Sequence, residues 1–109
     1  MREPTLLILT ALADRPRHGY GLIQEVSALS GGEVVLGAGT LYGALDRLVE
    51  QELIVVEREE AVDGRLRRYY ALTDGGASAL AAEAERLRRH AAAATERLRR
   101  RASPGPVTA

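Results

Sequence analysis

The sequence has no cysteine, no lysine, no phenylalanine and no tryptophan. Without cysteine there is no disulfide framework, thiolate zinc site, iron–sulfur centre or cysteine nucleophile. The two histidines, His18 and His90, are too few and too far apart for a histidine metal cluster. Net charge is missing as well: 15 arginines balance 15 acidic residues, so no overall cationic field announces nucleic acid. No apolar run approaches the ~18 residues of a membrane span, and the N-terminus lacks the order of charge, apolar run and small residues that makes a signal peptide. Nor is there a phosphate-cradling loop, a serine in a nucleophile elbow or a convincing carboxylate pair. The expectation is a soluble, cytoplasmic, single-domain protein of 109 residues with no catalytic activity, no cofactor and no metal. The all-arginine cations and the abundance of alanine are what a GC-rich coding sequence produces.

What is present is order. Residues 5–13 (TLLILTALA) are nearly all apolar and stop at Asp14, before Arg15-Pro16. Their length and the preceding Pro4 predict a short helix covered from two directions. A second helix is predicted over 18–29, with Leu22, Val26 and Leu29 on one face, ended by Gly31-Gly32. A third spans about 38–51, with Leu41, Leu45 and Leu48 at helical spacing. Two β-prone runs, 53–60 and 65–73, flank Asp63-Gly64, a strong signal for a two-residue hairpin turn. That turn sets a register pairing Val62 with Arg65, Glu60 with Arg67, Glu59 with Arg68 and Glu57 with Tyr70.

Residues 74–101 are alanine-rich and helix-prone. Their apolar positions Ala77, Leu80, Ala84, Leu87, Ala91, Ala94 and Leu98 step alternately by three and four, a heptad seam. The expected architecture is mainly α with a small β-hairpin. Residues 1–73 form a winged helix-turn-helix for binding DNA, 74–101 a dimerisation helix and 102–109 a disordered tail.

Three clusters carry the chemistry. His18-Gly19-Tyr20 opens the second helix; Tyr20 there either reaches a DNA phosphate or fills the core, while His18 belongs to the turn. Gly39-Thr40-Leu41-Tyr42 opens the third, where the free N–H groups and the helix dipole favour phosphate and the first residues of a recognition helix meet base edges. Against that stands a Thr cap with a packed Tyr. Arg65, Arg67 and Arg68 lie on the returning hairpin strand and suit phosphates or the minor groove. Glu59 and Glu60 compete for them as cross-strand partners, at only about 0–1 kcal/mol for an exposed pair. Residues 1–73 carry eight positive and eleven negative charges, residues 74–109 seven and four. The winged part is thus slightly acidic, which argues against strong nonspecific DNA affinity; the terminal arginines read mainly as a solvated face around the seam, the alternative being that they add to DNA attraction or meet an acidic partner.

These clusters, with Ala44-Leu45, Arg47-Leu48, Leu53-Ile54 and the run from Gly64 to Tyr69-Tyr70-Ala71-Leu72-Thr73, resemble the PadR family of bacterial transcriptional regulators in its short form with one C-terminal helix. The sequence departs from that pattern at Gly37, Gly43 and Glu52, where Ser, Pro and Gly are frequent. The resemblance implies a homodimer on a double-stranded, palindromic DNA operator, usually as a repressor in the nucleoid. It assigns Thr40, Tyr42 and Arg47 to the recognition helix, Arg65, Arg67 and Arg68 to the wing, and Tyr20 to the helix crossing the DNA backbone. It places the dimer interface on Leu6, Leu7, Ile8 and Leu9 with Leu80, Ala84, Leu87, Ala91, Ala94 and Leu98. Many relatives respond to a small-molecule effector, but this seam has no aromatic residue to stack on one. The rival reading is a winged helix used for protein interaction or dimerisation without DNA.

Overall fold

The computed structural model describes residues 1–103. The elements run α1 (Glu3–Leu12), β1 (Arg17–His18), α2 (Gly19–Leu29), α3 (Ala38–Glu50), β2 (Ile54–Val62), β3 (Arg65–Leu72) and α4 (Asp74–Ala102). This is the expected winged helix with a C-terminal helix, and no described helix is long and apolar enough to cross a membrane. Ala102, assigned to the tail from sequence, still belongs to α4. The tail beyond residue 103 lies outside the described residues.

One core holds the winged part together. Ile8, Leu9, Leu22, Val26, Leu41, Leu45, Leu48 and Ile54 are buried together with Tyr70. Burying one such side chain is worth about 1.5–3 kcal/mol. The apolar α1 is covered by α2, β3 and α4 of its own chain. Ile8 and Leu9, assigned to the dimer interface, are 0% exposed and have no surface to offer a partner. Leu6 and Leu7 keep part of theirs. A helix that is apolar all round needs covering from two directions, and around Ile8 and Leu9 the same chain supplies it.

The hairpin is part of a three-stranded antiparallel sheet in the order β1-β3-β2, one strand more than expected. The register holds for Val62–Arg65, Glu60–Arg67 and Glu59–Arg68. It fails at Glu57: Val56 faces Tyr70 and Arg58 faces Tyr69, so Glu57 is the extra residue of a bulge. Side chains alternate along a strand, so without the bulge Ile54 would fall on the face of Arg58 and Glu60. The bulge turns Ile54 instead to the side of Tyr70 and Leu72, where it is buried. A polar wing and an apolar base thus share one strand.

The joint between the winged part and α4 is tight. Thr73 caps α4 by accepting from Gly76 N–H at 2.9 Å, and donates its own hydroxyl to the Glu52 carbonyl at 2.7 Å. A Cβ on Gly76 would stand 2.0 Å from the Leu53 carbonyl oxygen, so this position admits glycine alone. Glu52, in the turn after α3, carries a left-handed φ of 60°.

Candidate nucleic-acid interface

A cleft of about 890 Å³ lies between the wing and the first turns of α2 and α3, lined by Tyr20, Tyr42, Arg65, Arg67 and Arg68 among others. Its α2 side is set by His18, which caps the helix: Gly21 N–H donates to His18 Nδ1 at 3.3 Å. That cap needs a neutral imidazole. Burial, followed by the nearby Arg67 charge, holds the His18 pKa below its ordinary value, while Glu60 opposes the shift. His18 therefore has the turn role expected of it, and it also pairs in β1 with Tyr69, which the sequence reading missed. A two-residue strand has no periodicity to detect.

Tyr20 is 66% exposed, which removes the core alternative for it. Tyr42 is about half exposed, and its ring lies against α2 so closely that a Cβ on Gly19 would meet the phenol oxygen at 2.3 Å. Gly19 thus brings the two helix starts together, and the two tyrosines border one cleft.

Along α3, Leu41, Ala44, Leu45 and Leu48 face inward. At 100° per residue, Thr40 and Arg47 fall within about 20° of each other on one flank, while Tyr42 occupies the other. Between them the outermost strip reads Gly39, Gly43, Asp46, Glu50. The N-terminal half of that strip is bare, and a Cβ on Gly39 would meet nothing within 4 Å. The C-terminal half is acidic and repels phosphate. A nucleic acid can thus approach α3 closely only at its first two turns. Arg47 is not brought to the cleft; it lines a second recess with Arg2, Thr5 and Gln51. Gly39 and Thr40 are exposed beside the cleft rather than in its lining.

On the wing, the competition between carboxylates and phosphate is divided. Arg68 is held by Glu59 at 3.1 Å, and that bond raises its pKa. Arg65 and Arg67 make no ion pair among the described residues, and Glu60, which faces Arg67 across the strands, bonds Arg58 at 3.2 Å. Arg58 also stacks on Tyr69, 4.0 Å from the ring centroid. Sequence reasoning passed over Arg58, although its two-residue separation from Glu60 on a strand places both on one face.

The seam of α4 is open: Ala84, Leu87, Ala91, Ala94 and Leu98 are exposed, and only Leu80 packs partly on the core. The arginines around it are mostly paired within the helix, Arg86 with Glu83, Arg88 and Arg89 with Glu85, and Arg99 and Arg100 with Glu96.

Comparison with known proteins places this arrangement. Residues 8–82 match the model of the "Transcriptional regulator PadR-like family". The transcriptional regulator Rv3488 of Mycobacterium tuberculosis is 41% identical over 75 residues, covering 69% of this chain and 66% of that protein. The chain spans 24% to 66% of the length of the curated relatives it matches. Among solved structures, a PadR family transcription regulator from Clostridium difficile R20291 superposes with a TM-score of 0.74 at 25% identity, over 89% of this chain and 99% of that one. Bacillus subtilis PadR, solved in complex with operator DNA, shares the fold with a TM-score of 0.64 at 20% identity, over 99% of this chain and 54% of that one. Transcriptional regulation, rather than enzyme catalysis, is the work of these relatives. With its winged helix, its cleft and a family match covering most of its length, the chain belongs to the PadR-like family of transcriptional regulators.

Proposed function

We propose that the protein is a sequence-specific regulator that binds a palindromic operator as a homodimer and represses by occupying a promoter. The observation that carries the reading is the cleft with two exposed tyrosines on one side and, on the other, two arginines that make no ion pair among the described residues. Unpaired guanidinium groups are available to phosphate oxygens, and the bare N-terminal half of α3 suits insertion into the major groove. Thr40 and Tyr42 then meet the groove, Arg65 and Arg67 the flanking phosphates, and Tyr20 the backbone that α2 crosses. Arg47 has a lesser role, at the flank of α3. Arg68 contributes only by exchanging Glu59 for a phosphate. The relative from Bacillus subtilis, solved with operator DNA, favours the same use of the shared fold.

The homodimer rests on the open seam of α4, whose apolar heptad positions fit a second copy of the same helix. Leu6 and Leu7 remain available beside it, whereas Ile8 and Leu9 do not. Such a dimer sets two recognition helices about 34 Å apart, one DNA turn. A small-molecule effector would act by changing that separation, and without an aromatic side chain on the seam it would not be held there by stacking.

The test is a selection of bound fragments from the genome, followed by mobility shifts at two salt concentrations with excess random DNA. Sedimentation of the free protein accompanies it. The expected result is a dimer and a specific, salt-sensitive shift on a palindrome. A monomer with no sequence preference contradicts the proposal.

A further inference from the structure

Arg58 stands in a row across the sheet. Its guanidinium lies 4.0 Å from the centroid of Tyr69, the residue facing it on β3, and on the far side of Tyr69 the His18 ring meets it edge-on at 5.4 Å. From this fixed position Arg58 bonds Glu60 at 3.2 Å and reaches Glu57, the bulge residue, at 3.8 Å. The next row of the same face pairs Glu60 directly with Arg67. Opposite residues of an antiparallel pair have Cβ atoms about 4.5–5.5 Å apart, so Arg67 is the natural partner of Glu60. Yet Arg67 makes no ion pair among the described residues.

We infer that Arg58 is a positioning residue for DNA binding: it holds Glu60 and thereby keeps Arg67 free for a phosphate. This rests on the DNA-binding reading above. Stacking on Tyr69 fixes the guanidinium between two carboxylates, and the bulge brings the second of these within its reach. With Arg58 removed, Glu60 turns across the strands to Arg67, and a phosphate must then displace a carboxylate already in place. An exposed pair of this kind weakens the competing contact by about 1.4- to fivefold. To the extent that Arg67 gives up its phosphate, the slope of log affinity against log salt also falls, by at most about one.

The experiment measures binding of a labelled mixed-sequence duplex, about three helical turns long, by anisotropy across a salt series. Arg58→Met, Arg67→Met and the double variant are compared with the unaltered protein. Arg58→Met is expected to lose about 1.4- to fivefold in affinity in the unaltered background and nothing further in the Arg67→Met background. Adding Glu60→Gln to Arg58→Met should restore the affinity and the salt slope. An equal loss in both backgrounds, or a loss that Glu60→Gln leaves in place, would mean that Arg58 meets the DNA itself and would overturn the inference. So would an Arg58→Met protein that binds as the unaltered one does. Failure of the unaltered protein to bind any duplex would defeat the DNA-binding reading, and this inference with it.

Discussion

The wing and α4 are both rich in arginine, and they differ in the company those arginines keep. On α4, glutamates three or four residues earlier hold five of the guanidinium groups. On the wing, Arg65 and Arg67 make no ion pair among the described residues, while Arg58 holds Glu60 and Arg68 holds Glu59. Residue counts would have chosen the helix as the cationic region, since residues 74–109 carry seven positive and four negative charges. Pairing chooses the wing instead. An arginine already bonded to a carboxylate must give up that bond before it takes a phosphate, so unpaired charge is the better guide to a nucleic-acid surface.

The most disruptive way to break this comparison is at the joint between the two regions. Gly76→Ala puts a Cβ 2.0 Å from the Leu53 carbonyl and should destabilise the protein by about 3 kcal/mol or more. Thermal unfolding would reveal it as a large fall in Tm, and a neutral outcome would mean that α4 is not seated as described.

Acid titration sharpens the comparison next. The Arg86 guanidinium beside Glu83 holds its carboxyl down to about 2. Stability from this pair is present above the ordinary Glu value of about 4.3 and is lost as pH falls toward 2. Glu83→Gln should flatten that step more than Glu85→Gln does, because Glu83 is buried at the base of α4 and Glu85 is exposed. His18 gives a smaller step at higher pH. Its folded pKa lies below the ordinary value of about 6.5, so its contribution is fully present above that value and declines as pH drops through the window beneath it. His18→Asn keeps a capping side chain without a titrating group and should remove this step from the curve of Tm against pH.

The smallest effect concerns the bare strip of α3. A Cβ on Gly43 would meet only the Arg47 guanidinium, at an ordinary 3.7 Å. Gly43→Ala should therefore raise stability by about 0.5–1 kcal/mol, measured by denaturant unfolding. If the strip faces DNA, the same change lowers affinity, so stability and binding move in opposite directions.

How far the sequence could be read depended on the range of the forces involved. Asp63-Gly64 dictates its turn locally, and the register is correct for as long as strand alternation alone governs it, through Glu59–Arg68. It breaks at Glu57 because the placement of Ile54 is decided by the core, a non-local demand. β1 escaped for the same reason, since its two residues are strand only through Tyr69 and Tyr70. The apolar girdle of α1 announced burial on every side without saying whose atoms would cover it, and its own chain covers Ile8 and Leu9. At the candidate site, Tyr20, Tyr42 and the wing arginines were legible as residues. Which arginines stay unpaired was not, because it turns on Arg58 leaning on Tyr69 rather than on any motif.

The most direct test of unpaired wing charge is a salt titration of DNA binding on three proteins: the unaltered chain, Arg65→Ala/Arg67→Ala, and Arg88→Ala/Arg99→Ala. Each double variant removes two positive charges. The slope of log affinity against log salt should fall by about two for the wing variant and stay unchanged for the α4 variant. Equal falls in both, or a fall confined to the α4 variant, would contradict it.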